Sequence, residues 1–321
     1  MNIDEKIYVA GHTGLVGQAL VRALKNQGFK HILQQTHHQL DLTQSEAVQG
    51  FFAENQPDYV FLAAAKVGGI WANDNYPADF IWQNLQIQNN VLAQAKAHGV
   101  KRLLFLGSSC IYPRECPQPI KEEYLLTGPL ESTNRPYAIA KIAGIELCWS
   151  FNRQFGTQFL AVMPTNLYGP GDNYDLQQSH VIPALIRKMH EAKESNQRQV
   201  IVWGTGKPRR EFLHSDDLAQ ACVYLMNLPE DKFQQLILSP TTAPIINIGW
   251  GQDIPIADLA KLIANVTEFT GDIIFDASKP DGTPRKMLSI EKIMQLGWHA
   301  HLSLEQGLHN TYHHFKNEHH R

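Results

Sequence analysis

The stretch Ile7-Tyr8-Val9-Ala10-Gly11-His12-Thr13-Gly14-Leu15-Val16-Gly17 decides how the whole chain is read. Four apolar residues predict a short buried strand, three spaced glycines follow, and Leu15, Ala19, Leu20, Ala23 and Leu24 then recur at helical spacing up to Gly28. The pattern is strand, glycine turn, helix. Glycines there allow a tight turn and let backbone N–H groups approach a pyrophosphate seated at the positive helix end. A merely structural glycine turn has the same letters, but a strand-to-helix junction favours the dinucleotide reading. The candidate cofactor contacts are therefore Gly11, His12, Thr13, Gly14, Leu15, Val16 and Gly17.

Working outward, residues 31–35 read as a second strand, after which an acid binding a free ribose 2′-hydroxyl is expected about 20 residues beyond the glycines. The chain has Gln34, Gln35, Thr36, His37 and His38 instead. Without an acid a strict NAD site is disfavoured, and without an arginine a 2′-phosphate falls to His37, Thr13 and Gln35. Asp41, beside Leu42, is expected to face the adenine, and Thr43-Gln44-Ser45-Glu46 has the form of a capping box. A third strand over residues 59–63 delivers Ala64-Ala65-Lys66-Val67-Gly68-Gly69, small enough at Ala64 for close packing against a dinucleotide. A long helix over 77–98 closes at Gly99.

A fourth strand ends at Leu106, followed by Gly107-Ser108-Ser109-Cys110, and a fifth leads into Pro164-Thr165-Asn166-Leu167-Tyr168-Gly169-Pro170, read as a loop at the nicotinamide end. In an open parallel sheet ligands sit at the carboxyl ends of strands, so these residues should face the site. Ser108 is also an ordinary cap or turn residue. Alternating strand and helix predict an α/β fold, a doubly wound parallel sheet (Rossmann) over residues 1–170, with return segments near 210–250. Residues 171–321 are expected to form mainly a smaller α/β substrate-binding lobe, with polar loops at 172–179, 195–199, 203–208 and 280–284.

Tyr137-Ala138-Ile139-Ala140-Lys141 follows Arg135-Pro136 and opens an apolar-periodic helix. Tyr137 and Lys141, four apart, share a face. An ammonium beside a phenol favours the phenolate, so the expectation is a phenol pKa lowered from about 10 and a pair that exchanges a proton with a carbonyl or alcohol. That is the acid/base half of a hydride transfer. A surface helix that happens to carry both residues is the alternative.

Hydrophobic residues at 43%, charged residues at 18% and a net charge of −3 describe an ordinary globular protein. No basic surface for nucleic acid is indicated, and no long apolar run suggests a signal peptide or membrane span, so a cytoplasmic location is expected. Cys110, Cys116, Cys148 and Cys222 lack CxxC spacing, which suggests neither a metal site nor a redox pair. His309, His313 and His314 are expected on a solvated C-terminal helix ending at His319-His320-Arg321.

The residues resemble the extended short-chain dehydrogenase/reductases, and within them the 3,5-epimerase-4-reductases of nucleotide sugars. The blocks that carry the resemblance run nearly end to end: Ala10 to Gly17, Leu62 to Ile70, Tyr76-Pro77-Ala78-Asp79-Phe80, Gly107 to Pro113, Pro136 to Gly144, Met163 to Pro170, Ser179 to Leu185, Arg210-Glu211-Phe212-Leu213-His214, and Asp276 to Lys286. The resemblance implies NADP (NADPH) as cofactor and GDP-4-keto-6-deoxy-D-mannose as substrate, inverted at C3 and C5 and then reduced at C4. It also implies a homodimer through the helix at 77–98 and the dyad helix. Its catalytic set falls on Ser108, Tyr137 and Lys141 for reduction and on Cys110 and His180 for epimerisation. Cofactor contacts extend over His37, Asp41, Leu42, Ala64, Leu106, Gly107, Ser108, Ser109, Tyr137, Lys141, Pro164, Thr165, Asn166, Leu167 and His180. Nucleotide-sugar contacts fall on Lys188, Trp203, Arg210 and Asp281, with Arg285 and Lys286 beside them. Family members usually carry arginines near the 2′-phosphate where this chain has Thr13 and His37, which leaves NADH use open.

Protons α to a ketone are acidic, and inversion needs a base on one face and an acid on the other. A thiol near pKa 8.5 and an imidazole near 6.5 suit that task. A buried inert cysteine and a helix-start histidine are the alternatives for Cys110 and His180. Trp203 could stack on guanine and Arg210 pair with a pyrophosphate, or the one be core and the other a strand bridge. Competing activities are another nucleotide-sugar epimerase/reductase, a 4,6-dehydratase and a dinucleotide-sensing regulator. A dehydratase would carry an Asp-Glu pair where Cys110-Ile111 stands, and a regulator would lack the dyad.

Overall fold

Strand β1 (Lys6–Ala10) is buried on two sides: Ile7 and Val9 enter one apolar cluster, Tyr8 and Ala10 another. Such a strand needs helices on both faces of its sheet. In the computed structural model, which describes residues 1–176, 179–279 and 281–319, it has them. Gln177 and Gln178 of the polar loop, Pro280, and His320-Arg321 lie outside the described residues.

From β1 the chain continues through α1 (Leu15–Asn26), β2 (His31–Leu33), α2 (Ser45–Asn55), β3 (Tyr59–Leu62), α3 (Ile70–Asn75), α4 (Pro77–Ala97), β4 (Arg102–Leu106), α5 (Arg135–Phe155) and β5 (Phe159–Pro164). Then come β6 (Asn166–Tyr168), α6 (Val181–Glu194), β7 (Gln199–Trp203), β8 (Arg209–His214), α7 (Ser215–Met226), α8 (Glu230–Ile237), β9 (Ile245–Ile248) and β10 (Asp253–Pro255). The chain ends with α9 (Ile256–Thr267), β11 (Asp272–Asp276), β12 (Arg285–Lys286), α10 (Glu291–Gln295) and α11 (Leu304–His319).

Six parallel strands form the main sheet in the order β2-β1-β3-β4-β5-β9. The strand expected around 243–249 is thus in this sheet, beside β5. Residues of α1 and α7 cover one face and those of α2, α4 and α5 the other. Strand order reverses between β1 and β3, and the carboxyl ends flanking that reversal open a crevice. A third apolar cluster lies apart, built by α6, α9 and α11 on β7 and β8. There β7 pairs with β11, while β8 is flanked by β10 and β12 and also pairs with β6.

Three local expectations are corrected. The second strand stops at Leu33, because Thr36 turns the chain through bonds to the Gln39 side chain at 2.9 and 3.0 Å. No capping box forms: Gln44 is the N-cap of α2, and the Thr43 hydroxyl is drawn instead to Asp41 at 2.8 Å. The segment 164–170 is not all loop, since Asn166–Tyr168 pairs in parallel with Phe212, Leu213 and His214, a partner about 45 residues away that no local pattern announces.

Candidate active site

The crevice is closed tightly at its base. Gly11 lies at φ +82°, and a Cβ there would come within 2.7 Å of Ala64 Cα; a Cβ on Gly17 would lie 2.0 Å from the Gly11 oxygen. Only glycine allows β1, the start of α1 and the end of β3 to approach so closely. Gly14 caps α1 without a side-chain bond, which leaves first-turn amides facing the crevice. Within the cradle's own loop, His12 Nδ1 is buried and finds no partner among the described residues. A glycine cradle at a helix N-terminus, with an unsatisfied buried His12 nitrogen in its loop, fits a dinucleotide. Asp41 accepts from the Thr43 backbone N–H at 2.9 Å and lies 3.8 Å from the exposed His37, and Leu42 is buried.

Tyr137 and Lys141 occupy successive turns of α5, whose Pro136 stands in the first turn. Gly144, a turn further on, lets the helix press against β4: a Cβ there would meet the Phe105 ring at 2.4 Å. Lys141, 4% exposed, therefore reaches the end of β4 and donates to the Leu106 carbonyl at 2.7 Å. Its Nζ stands 4.9 Å from the Phe105 ring centroid and 5.8 Å from that of Tyr137. Burial lowers the Lys141 pKa to about 8. The Tyr137 pKa is raised, chiefly by burial, with Cys110 adding to the rise and a hydrogen bond with Ser108 opposing it. This corrects the expected phenolate: the ammonium is directed at a carbonyl, and desolvation of the phenol outweighs its neighbour's charge. A phenol that keeps its proton is the form that can give one away.

Ser108 accepts from the Cys110 backbone N–H at 3.2 Å and so caps the single turn Ser109–Ile111. That turn sets the half-buried Cys110 thiol at the end of β4 beside Tyr137. His180 is the N-cap of α6, open to solvent at its edge; burial of the ring, and then the Lys286 charge, lower its pKa. The Lys286 ammonium lies 3.8 Å from Cys110 Sγ. Ser108, Cys110, Tyr137, Lys141 and His180, drawn from three separate stretches, are thus linked at one place.

The proposed nucleotide-sugar contacts also converge. Trp203 is 66% exposed, so it is not core, and its ring lies between the ammonium groups of Lys188 and Lys279 at 5.7 and 5.6 Å. Asp281 accepts from Thr205 N and Oγ1 at 2.6 and 2.7 Å and lies near Arg210. Burial lowers the pKa of both Lys188 and Arg210, with Asp281 opposing it at Arg210. Arg285, by contrast, is spent on Asp253, which also holds Arg209 at 2.7 Å.

Glu211 is a residue that motif reading passed over. It is 0% exposed, and its carboxylate takes Gly251 N at 2.7 Å and Leu288 N at 2.9 Å, while its carbonyl holds Asn166 Nδ2 at 2.8 Å and Thr165 Oγ1 at 3.3 Å. It joins the cofactor end of β5 to the strand that carries Lys286. Its place between Arg210 and Phe212 gives no sign of that.

A dinucleotide cradle on a doubly wound sheet, with a Tyr/Lys pair whose lysine is buried and a serine at the end of the fourth strand, defines a dinucleotide-dependent oxidoreductase. The chain belongs to the NAD dependent epimerase/dehydratase family, whose sequence model matches residues 7–249. It is 54% identical over 307 residues to GDP-L-fucose synthase 1 of Arabidopsis thaliana, covering 96% of this chain and 92% of that protein. With the GDP-L-fucose synthase of Escherichia coli it shares 51% over 311 residues, covering 96% and 95%. The solved GDP-L-fucose synthetase of Naegleria fowleri bound to NADP superposes with a TM-score of 0.88 at 30% identity, over 100% of this chain and 95% of that one.

Proposed function

We propose that the protein converts GDP-4-keto-6-deoxy-D-mannose to GDP-L-fucose, by inversion at C3 and C5 followed by NADPH-dependent reduction of the C4 ketone. The observation that carries this reading is the Cys110 thiol set beside the Tyr137 phenol at the end of one strand, where α-carbon and carbonyl of the same sugar could be served in turn. Relatives at 51–54% identity support it.

NADPH, when bound in the glycine cradle, supplies the hydride that C4 receives. Ser108 and Tyr137 hold the ketone oxygen, and the protonated phenol gives O4 its proton as the oxygen becomes an alcohol. Lys141, one turn along the helix with a pKa of about 8, can supply the phenol's replacement proton. Cys110 and His180 exchange the acidic protons at C3 and C5 while the ketone is still intact. Lys188, Trp203, Arg210 and Asp281 hold the nucleotide diphosphate on the smaller lobe, and residues 1–170 with their return strands hold the cofactor.

No described helix is long and apolar enough to cross a membrane, and we place the enzyme in the cytoplasm, where its free thiols persist. Trp82 of α4 and Ile139 of α5 are exposed on adjoining helices, and a homodimer pairing those helices would cover them. The deciding experiment mixes purified protein with NADPH and the keto sugar in heavy water. NADPH oxidation that requires the sugar, with deuterium at C3 and C5 of the product, is expected; no oxidation with that substrate refutes the proposal.

A further inference from the structure

Lys286 enters the site from the far lobe, and the fold fixes it from two sides. In β12 it lies opposite Arg210 of β8. Beyond it, Met287 N donates to Gln118 Oε1 at 2.9 Å, Ile120 N donates to the Met287 carbonyl at 2.8 Å, and Leu288 N donates to the buried Glu211 carboxylate. The lysine is therefore clamped between the segment that follows Cys110 and the strand that carries Arg210. Its Nζ stands 3.8 Å from Cys110 Sγ, and both line a small cavity of about 60 Å³ together with Asn134, whose Oδ1 has no partner among the described residues. Its charge is also felt at His180 and Cys116, and Arg114, Glu131 and Arg285 line the same cavity.

We propose that Lys286 is a positioning residue for the epimerisation: its ammonium, 3.8 Å from the Cys110 sulfur, aims that sulfur into the sugar cleft and sets a positive charge beside it. This role rests on the reaction proposed above. In that step the sulfur lone pair takes the proton from the carbon next to the ketone, and the C–H electrons become a C=C bond as the carbonyl π pair moves onto O4. His180 then delivers a proton to the opposite face of the carbon, and the carbonyl re-forms. One C–H bond breaks and one forms, and the pair resets by returning a proton from the Cys110 thiol to His180 through solvent. A cation beside the sulfur stabilises the anion that starts this sequence, which favours Cys110 as the base of the pair.

The test is alkylation of Cys110 by iodoacetamide at pH 7.5 in the folded full-length protein, with the rate read on the Cys110 peptide by mass spectrometry. Lys286→Met is expected to slow it about tenfold, the effect of removing one charge at this separation from a half-buried thiol. Lys286→Arg is expected to stay within about threefold of the parent, because the charge remains. Should Lys286→Met fail to fold, Lys286→Gln replaces it in the comparison. Deuterium uptake at C3 and C5 should fall in parallel with alkylation. A parental alkylation rate in the neutral variant, or equal slowing in the arginine variant, overturns the proposal. Because the alkylation uses no sugar, its outcome is separable from failure of the substrate assignment, which the NADPH assay reads.

Discussion

Replacing Lys141 with methionine should make the protein more stable at neutral pH while it abolishes reduction. Burial lowers the Lys141 pKa from 10.5 to about 8. At about 1.4 kcal/mol per unit, the charged form is disfavoured in the folded state by roughly 3 kcal/mol. The lysine returns part of that by donating to the Leu106 carbonyl at 2.7 Å, and leaving that buried acceptor one bond short costs about 1–2 kcal/mol. Methionine keeps the packing against Phe105. The variant should therefore gain roughly 1–2 kcal/mol at pH 7. Between about pH 8 and 10.5 the unfolded chain binds the lysine proton and the folded chain does not, so the parent's stability rises with pH through that window. The penalty is fully present below about pH 8 and gone above about 10.5, where the variant should be the weaker by the missing hydrogen bond. Urea unfolding of both proteins at pH 7 and pH 10, followed by tryptophan fluorescence, measures the difference. A difference that is the same at both pH values would show that the ammonium is not strained by burial and would refute the reasoning.

Tyr137→Phe should slow NADPH-dependent reduction by about 10²–10⁴-fold and leave deuterium uptake at C3 and C5 intact; reduction at the parental rate would make the dyad structural. Cys110→Ser should do the reverse, abolishing exchange while bound ketone is still reduced, and unchanged exchange in a mass-spectrometric time course would remove Cys110 from the mechanism. His37→Arg should tighten NADPH relative to NADH by about tenfold in calorimetric titration, since a guanidinium pairs with a phosphate in two bonds; an unaltered ratio would place the 2′-phosphate away from residue 37.

The sequence by itself determined the elements whose signals are local. Glycines at 11, 14 and 17 between a strand and an amphipathic helix gave the cradle, Pro136 and Gly156 bounded the dyad helix, and the alternation of strand and helix gave the parallel sheet. Motif reading also picked out candidate residues that the fold brings together, because the blocks around Ser108, Tyr137 and His180 are contiguous. What tertiary structure alone decided depends on partners far apart in the chain. The phenol's proton is such a case: side-chain spacing on one helix suggested a Tyr137 whose pKa Lys141 depresses, whereas desolvation of the phenol and the pull of the Leu106 carbonyl on the ammonium reversed it. Strand β6 formed because β8 lay beside it, Trp203 proved exposed because β7 turns it outward, and Asp41 held Thr43 rather than leaving it to cap a helix. Lys286 met Cys110, 176 positions away, through a strand fixed by the buried Glu211. Spacing along a chain specifies which side chains share a face, but burial and long-range pairing set the charge each one carries when it reaches the site.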